Sequence, residues 1–327
     1  MEYLDLFSKD STEICIGFLG GSITEGTDRA TPGHFYVDIV GNKFKEKFPN
    51  KNVKIINAGW GGTGSDYGLF RLQADICNAS PDIVFVEFAC NDVVQGSTSC
   101  ILHMDNIVQQ LLSLPKIPYI CFIYTTDKNY NTRIKEHELV ASHYNIPSVN
   151  LLDHIRKLIN NCEIEFNDIF GDDIHPNNYG YQIYSDYIIK QLFSKPEIYF
   201  CKPNKALPLT APQIKNPHFV PNTEAQLLSN WETCPIVNKH LPPCISSSVG
   251  GKLRFEFSGT CIGILCEDMY TLGVSEFVID NEIKGYFSAE PYKPALFIYN
   301  LKSGKHMLEI NVISAESIHI AGFLVSE

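Results

Sequence analysis

Several signatures of common function classes are missing from this 327-residue sequence, and each absence narrows the reading. No apolar run approaches the roughly 20 residues that a membrane-spanning helix needs, so membrane insertion is not expected. Positive charge is scarce, with 26 Lys+Arg against 37 Asp+Glu and a net charge of −11. A nucleic-acid partner, which would require clustered Lys and Arg, is therefore not expected either. None of the eleven cysteines forms a Cys-x-x-Cys, and their odd number cannot pair within one chain. Cys15, Cys90, Cys121, Cys261 and Cys266 stand inside apolar runs. This pattern fits buried thiols in a reducing, cytoplasmic compartment better than a disulfide framework or a zinc site. The amino-terminal MEYLDLFSKDSTE, acidic and polar, has no signal-peptide character. His-Glu-x-x-His, EF-hand and Walker A patterns are missing, as are internal repeats.

What is present is globular material, 44% apolar and 19% charged, enough for a sizeable core. At roughly 150 residues per domain the length suggests two domains. Up to about Phe193, short apolar runs alternate with helical patterns. The predicted strands are Ile14–Leu19, Val53–Ile56, Asp82–Phe88, Tyr119–Tyr124 and Pro147–Leu151. Between them run stripes such as Tyr36, Val40, Phe44 and Phe48; Leu69, Leu72 and Ile76; and Met104, Val108, Leu111 and Leu112. Strands that are apolar throughout and separated by helices predict a parallel sheet covered on both faces, a doubly wound α/β domain over residues 1–195. Residues 196–250 are rich in proline, including Pro203, Pro208, Pro212, Pro217, Pro221, Pro235, Pro242 and Pro243. They are expected to be a largely irregular connection strapped across a domain surface. In residues 251–327 alternation returns: Leu253, Phe255 and Phe257, then Leu308, Ile310 and Val312 around Glu309 and Asn311. With Asp280-Asn281 and Ser303-Gly304 as expected hairpin turns, this reads as a smaller, all-β antiparallel sandwich.

Four short stretches can carry chemistry. Gly20-Gly21-Ser22-Ile23-Thr24 directly follows the first strand, and in open α/β sheets ligands bind beyond the carboxyl ends of strands. Read alone it is equally a strand-ending turn. Asp172-Asp173-Ile174-His175-Pro176 precedes a helix with Ile183, Tyr184, Tyr187 and Ile188 on one face. A serine hydroxyl needs a base to take its proton and a carboxylate to orient that base. Asp172 can turn back to Nδ1 of His175, leaving Nε2 for Ser22. The alternative is a solvated acidic loop. Gly59-Trp60-Gly61-Gly62-Thr63-Gly64 and Asn91 follow the second and third strands. A glycine N–H, the Asn91 amide and the Ser22 N–H would together supply the donors an oxyanion needs. Trp60 can stack on a sugar or serve as packing, and Cys90 is a reactive thiol or inert packing.

Gly59, Gly61 and Gly64 also fit Gly-x-Gly-x-x-Gly, with Glu87 ending the next strand, the dinucleotide-binding pattern. That reading leaves Ser22, Asn91 and the Asp172/His175 pair without a role. No Gly-x-Ser-x-Gly elbow surrounds Ser22, which disfavours an ordinary α/β-hydrolase.

Taken in order, the four blocks resemble the GDSL/SGNH hydrolase superfamily over roughly residues 10 to 195, on a flavodoxin-like sheet. The serine block lacks the eponymous Asp before and Leu after Ser22, and Ala89-Cys90 stands where the family has Gly before its Asn-Asp pair. Asp172-Asp173-Ile174-His175-Pro176-Asn177 is a close match. The resemblance implies Ser22 as nucleophile, His175 as general base and then acid, and Asp172 as orienting carboxylate. It implies an oxyanion hole of the Ser22 N–H, the Gly62 N–H and the Asn91 side chain. By the same pattern Asp173 is solvated or capping, and Glu25 and Asp28 take helix-start roles. The implied reaction is hydrolysis of a carboxylic ester through an acyl-serine, with no metal or organic cofactor. The appended β-domain is similar to jelly-roll modules of carbohydrate acetylesterases, so a saccharide O-acetyl ester is the implied substrate. Such a module binds glycan, narrows the active-site mouth or only packs. The alternatives are a non-catalytic glycan-binding protein on a hydrolase fold, or an acyltransferase or thioesterase using the same site.

Overall fold

The computed structural model describes residues 12–234, 240–267, 273–288 and 295–327; the acidic terminus at residues 1–11 and Pro235 lie outside them. The chain divides into two compact units, Met1–Ala211 and Pro212–Glu327.

In the first unit five parallel strands, β1 (Glu13–Gly20), β2 (Asn52–Gly59), β3 (Ile83–Glu87), β4 (Tyr119–Tyr124) and β5 (Ser148–Asn150), form one sheet in the order β2-β1-β3-β4-β5. All five predicted strands are present, in a doubly wound flavodoxin-like order. The helices between them are α1 (Ser22–Glu25), α2 (Tyr36–Lys47), α3 (Ser65–Asp75), α4 (Ser97–Leu112) and α5 (Ile134–Tyr144), then α6 (Leu151–Asn160), α7 (Phe166–Ile169), α8 (Asn178–Ser194) and α9 (Pro196–Tyr199). Successive side chains of a strand face opposite ways, and both faces here are covered. Ile14, Ile16 and Phe18 of β1 join a core with Tyr36, Val40 and Phe44 of α2 and Tyr181, Tyr184 and Ile188 of α8. On the other face Leu19, Val84 and Phe122 are buried together with the apolar stripes of α3, α4 and α5. A Cβ at Gly17 would lie 2.7 Å from Ile76 Cδ1, so a glycine in mid-strand lets the end of α3 close onto the sheet.

The proline-rich stretch behaves in two ways. Residues 202–210 are irregular and lie along the first unit, as expected. Asp105 of α4, fully buried, accepts hydrogen bonds from the Leu209 N–H (3.1 Å), the Thr210 N–H (2.8 Å) and the Thr210 hydroxyl (2.6 Å), and another from the Tyr144 hydroxyl. Beyond Ala211 the expectation of a loose connection fails. β6 (His218–Pro221), β7 (Gln226–Ser229), β8 (Glu232–Thr233) and β9 (Ile245–Ser247) are strands of the second unit. They are two to four residues long and lie at or near sheet margins, where a proline removes little from a ladder.

These join β10 (Lys252–Ser258), β11 (Cys261–Cys266), β12 (Val274–Ile279), β13 (Glu282–Ser288), β14 (Ala295–Ile298), β15 (Lys305–Val312) and β16 (Ile318–Ser326). The antiparallel sheets run β13-β12-β15-β10-β7 and β14-β11-β16-β9-β8, with β6 also pairing β16. β10 alternates strictly, Leu253, Phe255 and Phe257 inward, and Phe255 stacks on Phe323 of the other sheet at 3.9 Å. Asp280-Asn281 is the expected tight turn, both residues at positive φ between β12 and β13. Ser303-Gly304 is not a hairpin: it precedes β15, whereas β14 before it belongs to the opposite sheet, so that segment crosses between sheets.

No helix among the described residues is long and apolar enough to cross a membrane.

Candidate active site

The register of the parallel sheet brings the three chemical loops level. Gly20 pairs with Gly59 on one side and Glu87 on the other, so β1, β2 and β3 end side by side. This is the point where strand order reverses and a crevice opens. Ser22 opens α1 immediately beyond it. A Cβ at Gly21 would stand 2.2 Å from Asn91 Oδ1, so the Asn91 side chain lies directly over the serine turn. One at Gly61 would stand 3.6 Å from the Ser22 Cβ, so the glycine loop runs alongside the serine. Gly62, at φ +75°, takes the left-handed conformation that turn requires. The Gly61 N–H is held by Glu25 Oε2 at 2.6 Å. Glu25 thus ends α1 and clamps the glycine loop, a different task from the expected helix start.

The distant blocks meet. Ser22 Oγ lies 2.8 Å from His175 Nε2, and His175 Nδ1 lies 2.8 Å from Asp172 Oδ2. A carboxylate only accepts, so Nδ1 carries the proton and Nε2 presents its lone pair to the serine hydroxyl. Asp172 also accepts from the backbone N–H groups of Ile174 (2.8 Å) and His175 (2.7 Å). Arg29 Nε donates to Asp172 Oδ2 at 2.9 Å. Desolvation opposes the charge on Asp172, but these four donors outweigh it and hold the carboxyl well below the usual range. Arg29, half-exposed, had no signal in the sequence, because it lies in a loop of no regular pattern far from Asp172 along the chain. Asp173 points away, exposed and paired with Lys128. Asp28 is exposed beside Arg29.

The loop carrying the pair is braced from both ends. Phe170 and Pro176 form a bridge, and the Gly171 N–H donates to the His175 carbonyl at 2.8 Å. Asn177 caps α8 by accepting from the Gly180 N–H, and the Tyr181 hydroxyl donates to the Ile23 carbonyl at 2.9 Å. The helix after the histidine is thereby tied to the helix of the serine.

Beneath the strand ends lies a layer of buried charge that periodicity cannot reveal. Arg71, 4% exposed, donates to the carbonyls of Gly20 (2.9 Å) and Ala58 (2.6 Å), binding two strand ends together. Glu87, fully buried, accepts from Thr125 (2.5 Å) and Thr24 (3.0 Å). Burial pushes its carboxyl up to about 7, against hydrogen bonds from Thr125, Thr24 and the Gly21 backbone. Asp92, beside Asn91, takes the Ser65 N–H (2.8 Å) and Gln95 Nε2 (2.7 Å) on one oxygen and His137 Nε2 (2.9 Å) on the other. Asp92, Cys100 and His137 bring ligand-type atoms within 4.8 Å of one another. With both carboxylate oxygens already accepting, the trio is built as a hydrogen-bond network joining the asparagine turn to the start of α3.

Three of the alternatives raised by the sequence fall to the blander side. Glu87 is sealed under the serine turn, and a Cβ at Gly59 would meet the Glu25 backbone at 2.1 Å. The Gly-x-Gly-x-x-Gly pattern therefore serves close packing of the serine loop, leaving no place for a dinucleotide phosphate. Trp60 is buried, its ring edge-on to Tyr67 at 4.7 Å, so it packs and offers no open stacking face. Cys90 is buried and its thiol pushed up by burial, the environment of inert packing.

A sequence profile of the GDSL-like lipase/acylhydrolase family matches residues 18–183. Two crystal structures of a two-domain esterase, CEX, active on acetylated mannans, are similar in fold. The one co-crystallised with mannopentaose has TM-score 0.82 and 22% identity, covering 96% of this chain and 91% of that one. The other has TM-score 0.83 and 22% identity, covering 100% and 94%. An acetylxylan esterase of Geobacillus stearothermophilus, Axe2, matches at 18% identity and TM-score 0.48, over 56% of this chain and 96% of that one. No curated relative matches at the level of sequence.

Proposed function

Because the chain belongs to the GDSL-like lipase/acylhydrolase family, a class of carboxylic ester hydrolases, we propose that it is a serine esterase that removes O-acetyl groups from a carbohydrate. The observation that carries the reading is the hydrogen-bonded line from Ser22 Oγ through His175 to Asp172. Ser22 Oγ attacks the ester carbonyl while His175 Nε2 takes its proton. Asp172 keeps the ring oriented and stabilises the imidazolium. The oxyanion forms beside the Ser22 N–H, the Gly62 N–H and the Asn91 amide. The alcohol leaves with the proton from His175, and an acyl-serine remains. Water, deprotonated by the same nitrogen, then attacks the acyl carbon and releases the carboxylic acid, restoring Ser22. These steps draw on this chain's own side chains and backbone N–H groups.

The acetyl-saccharide substrate is supported by likeness over nearly the whole chain to an esterase active on acetylated mannans. The second unit extends that likeness beyond the catalytic fold, which supports reading it as a jelly-roll-like accessory module. None of the eleven cysteines is in a disulfide among the described residues, which supports a reducing, cytoplasmic setting. The test compares p-nitrophenyl acetate, butyrate and octanoate with wild type and Ser22→Ala. Acetate-preferring turnover that disappears in the variant is the expected result. Turnover that survives, or octanoate hydrolysed far faster than acetate, overturns the assignment.

A further inference from the structure

The loop after α1 and the start of α8 leave an open cleft between them, about 420 Å³ in volume, on the Asp172 side of the catalytic line. Its walls come from the segments that follow the two halves of that line, Asp28–Thr31 beyond Ser22 and Asn177–Tyr179 beyond His175. Arg29 links this cleft to the catalytic line, with Nε on Asp172 and an Nη on Asp28 Oδ2 at 3.3 Å. The cleft is preformed. The Thr31 N–H donates to Asn178 Oδ1 at 2.7 Å, and Asn178 Nδ2 donates back to Thr31 Oγ1 at 3.2 Å.

The walls choose among ligands. Asp28 is 83% exposed at its side chain and Arg29 is 45% exposed, a carboxylate and a guanidinium side by side facing water. Tyr179 is 52% exposed. No aliphatic side chain larger than that of Ala30 lines the cleft, so an acyl chain would find little apolar surface to bury against. The Asp28 carboxylate disfavours a phosphate beside Arg29. A pyranose ring fits both features. Its C–H face lies on an aromatic ring, and adjacent hydroxyls are bracketed by the Asp28 carboxylate and the Arg29 Nη hydrogens not engaged by Asp28.

We propose that this cleft is a saccharide subsite, holding a sugar residue that neighbours the acetylated one. The inference rests on the carbohydrate-esterase reading and extends it to the position of the glycan chain. The substrate then lies across the triad with its acyl group at Ser22 and its backbone continuing over Arg29 toward Tyr179.

The test uses the full chain carrying Ser22→Ala, so that no turnover intervenes, with mannopentaose, xylopentaose and sodium octanoate as probes in calorimetric and NMR titrations. At least one pentasaccharide binds, and adding Tyr179→Ala weakens it about tenfold, Asp28→Asn about threefold. Tyr286→Ala, at a tyrosine 63% exposed in the second unit, leaves that affinity in place. Thermal melts of each variant confirm that folding is intact. The subsite is overturned if neither pentasaccharide binds, if octanoate alone binds, or if Tyr286→Ala weakens binding while Tyr179→Ala does not. The esterase reading stands or falls separately, on p-nitrophenyl acetate.

Discussion

The two units treat polarity in opposite ways. In the first, ionisable side chains are taken out of water: Glu87, Asp92, Arg71 and His137 are buried under or beside the strand ends, and Asp105 is buried in α4. In the second, the core is aliphatic and aromatic, while ion pairs such as Arg254–Glu309 and His306–Asp280 have solvent-exposed partners. Among the described residues its buried polar groups are mostly hydroxyls, with Asn222 and Glu267 the exceptions. Burying a charge costs several kcal/mol unless it is hydrogen-bonded on every side. The first unit accepts that cost where three loops are held in fixed relation. Apart from Asp105, these buried groups cluster beneath the candidate site.

The sharpest way to break this contrast is at the serine. Ser22→Ala or His175→Ala is expected to lower kcat on p-nitrophenyl acetate by about 10⁴-fold or more, with the circular dichroism spectrum unchanged. In the second unit the largest effect should be on stability. Phe255→Ala removes a ring stacked across the two sheets and is expected to cost about 3–5 kcal/mol, read by calorimetry, while turnover per folded molecule persists. Asn91→Ala should reduce kcat by about 10²–10³-fold and change KM little, as for loss of one oxyanion donor.

A subtler effect is a pH slope. Glu87 and Asp66 are both raised to about 7 by burial, whereas an unfolded carboxyl titrates near about 4.3 or below. Between those values the folded protein binds the extra protons. Stability is therefore greatest below the unfolded pKa, falls as pH rises toward about 7, and then levels off. Glu87→Gln should make the fall in melting temperature between about pH 5 and about pH 7 shallower; an unchanged slope would show that Glu87 is not held protonated. The smallest effect belongs to the surface. Arg254 and Glu309 stand directly opposite on β10 and β15, yet Arg254→Ala should shift stability by no more than about 1 kcal/mol.

The first unit was legible because its physics is periodic. A central strand buried on both faces must be apolar throughout, as Ile14–Leu19 is, and a serine relay needs few residue types at strand ends. Ser22, Asp172 and His175 could be found that way, and the structure places them within hydrogen-bond reach. Arg29, Glu25, Arg71 and the Asp92–His137 contact could not, because each is a single polar residue whose partner is fixed only by tertiary packing. β6 to β9 escaped for another reason: two to four residues flanked by proline carry no measurable alternation. Ser303-Gly304 misled because a turn-forming pair marks a change of direction without saying which sheet the next strand joins.

Asp105 sets a limit on how the catalytic unit can be trimmed. An isolated first unit that stopped before Leu209 would take away both backbone donors and the Thr210 hydroxyl from a carboxylate enclosed in α4. Excision of that unit for engineering therefore belongs after Thr210, where the chain has already given all it owes to the α/β fold.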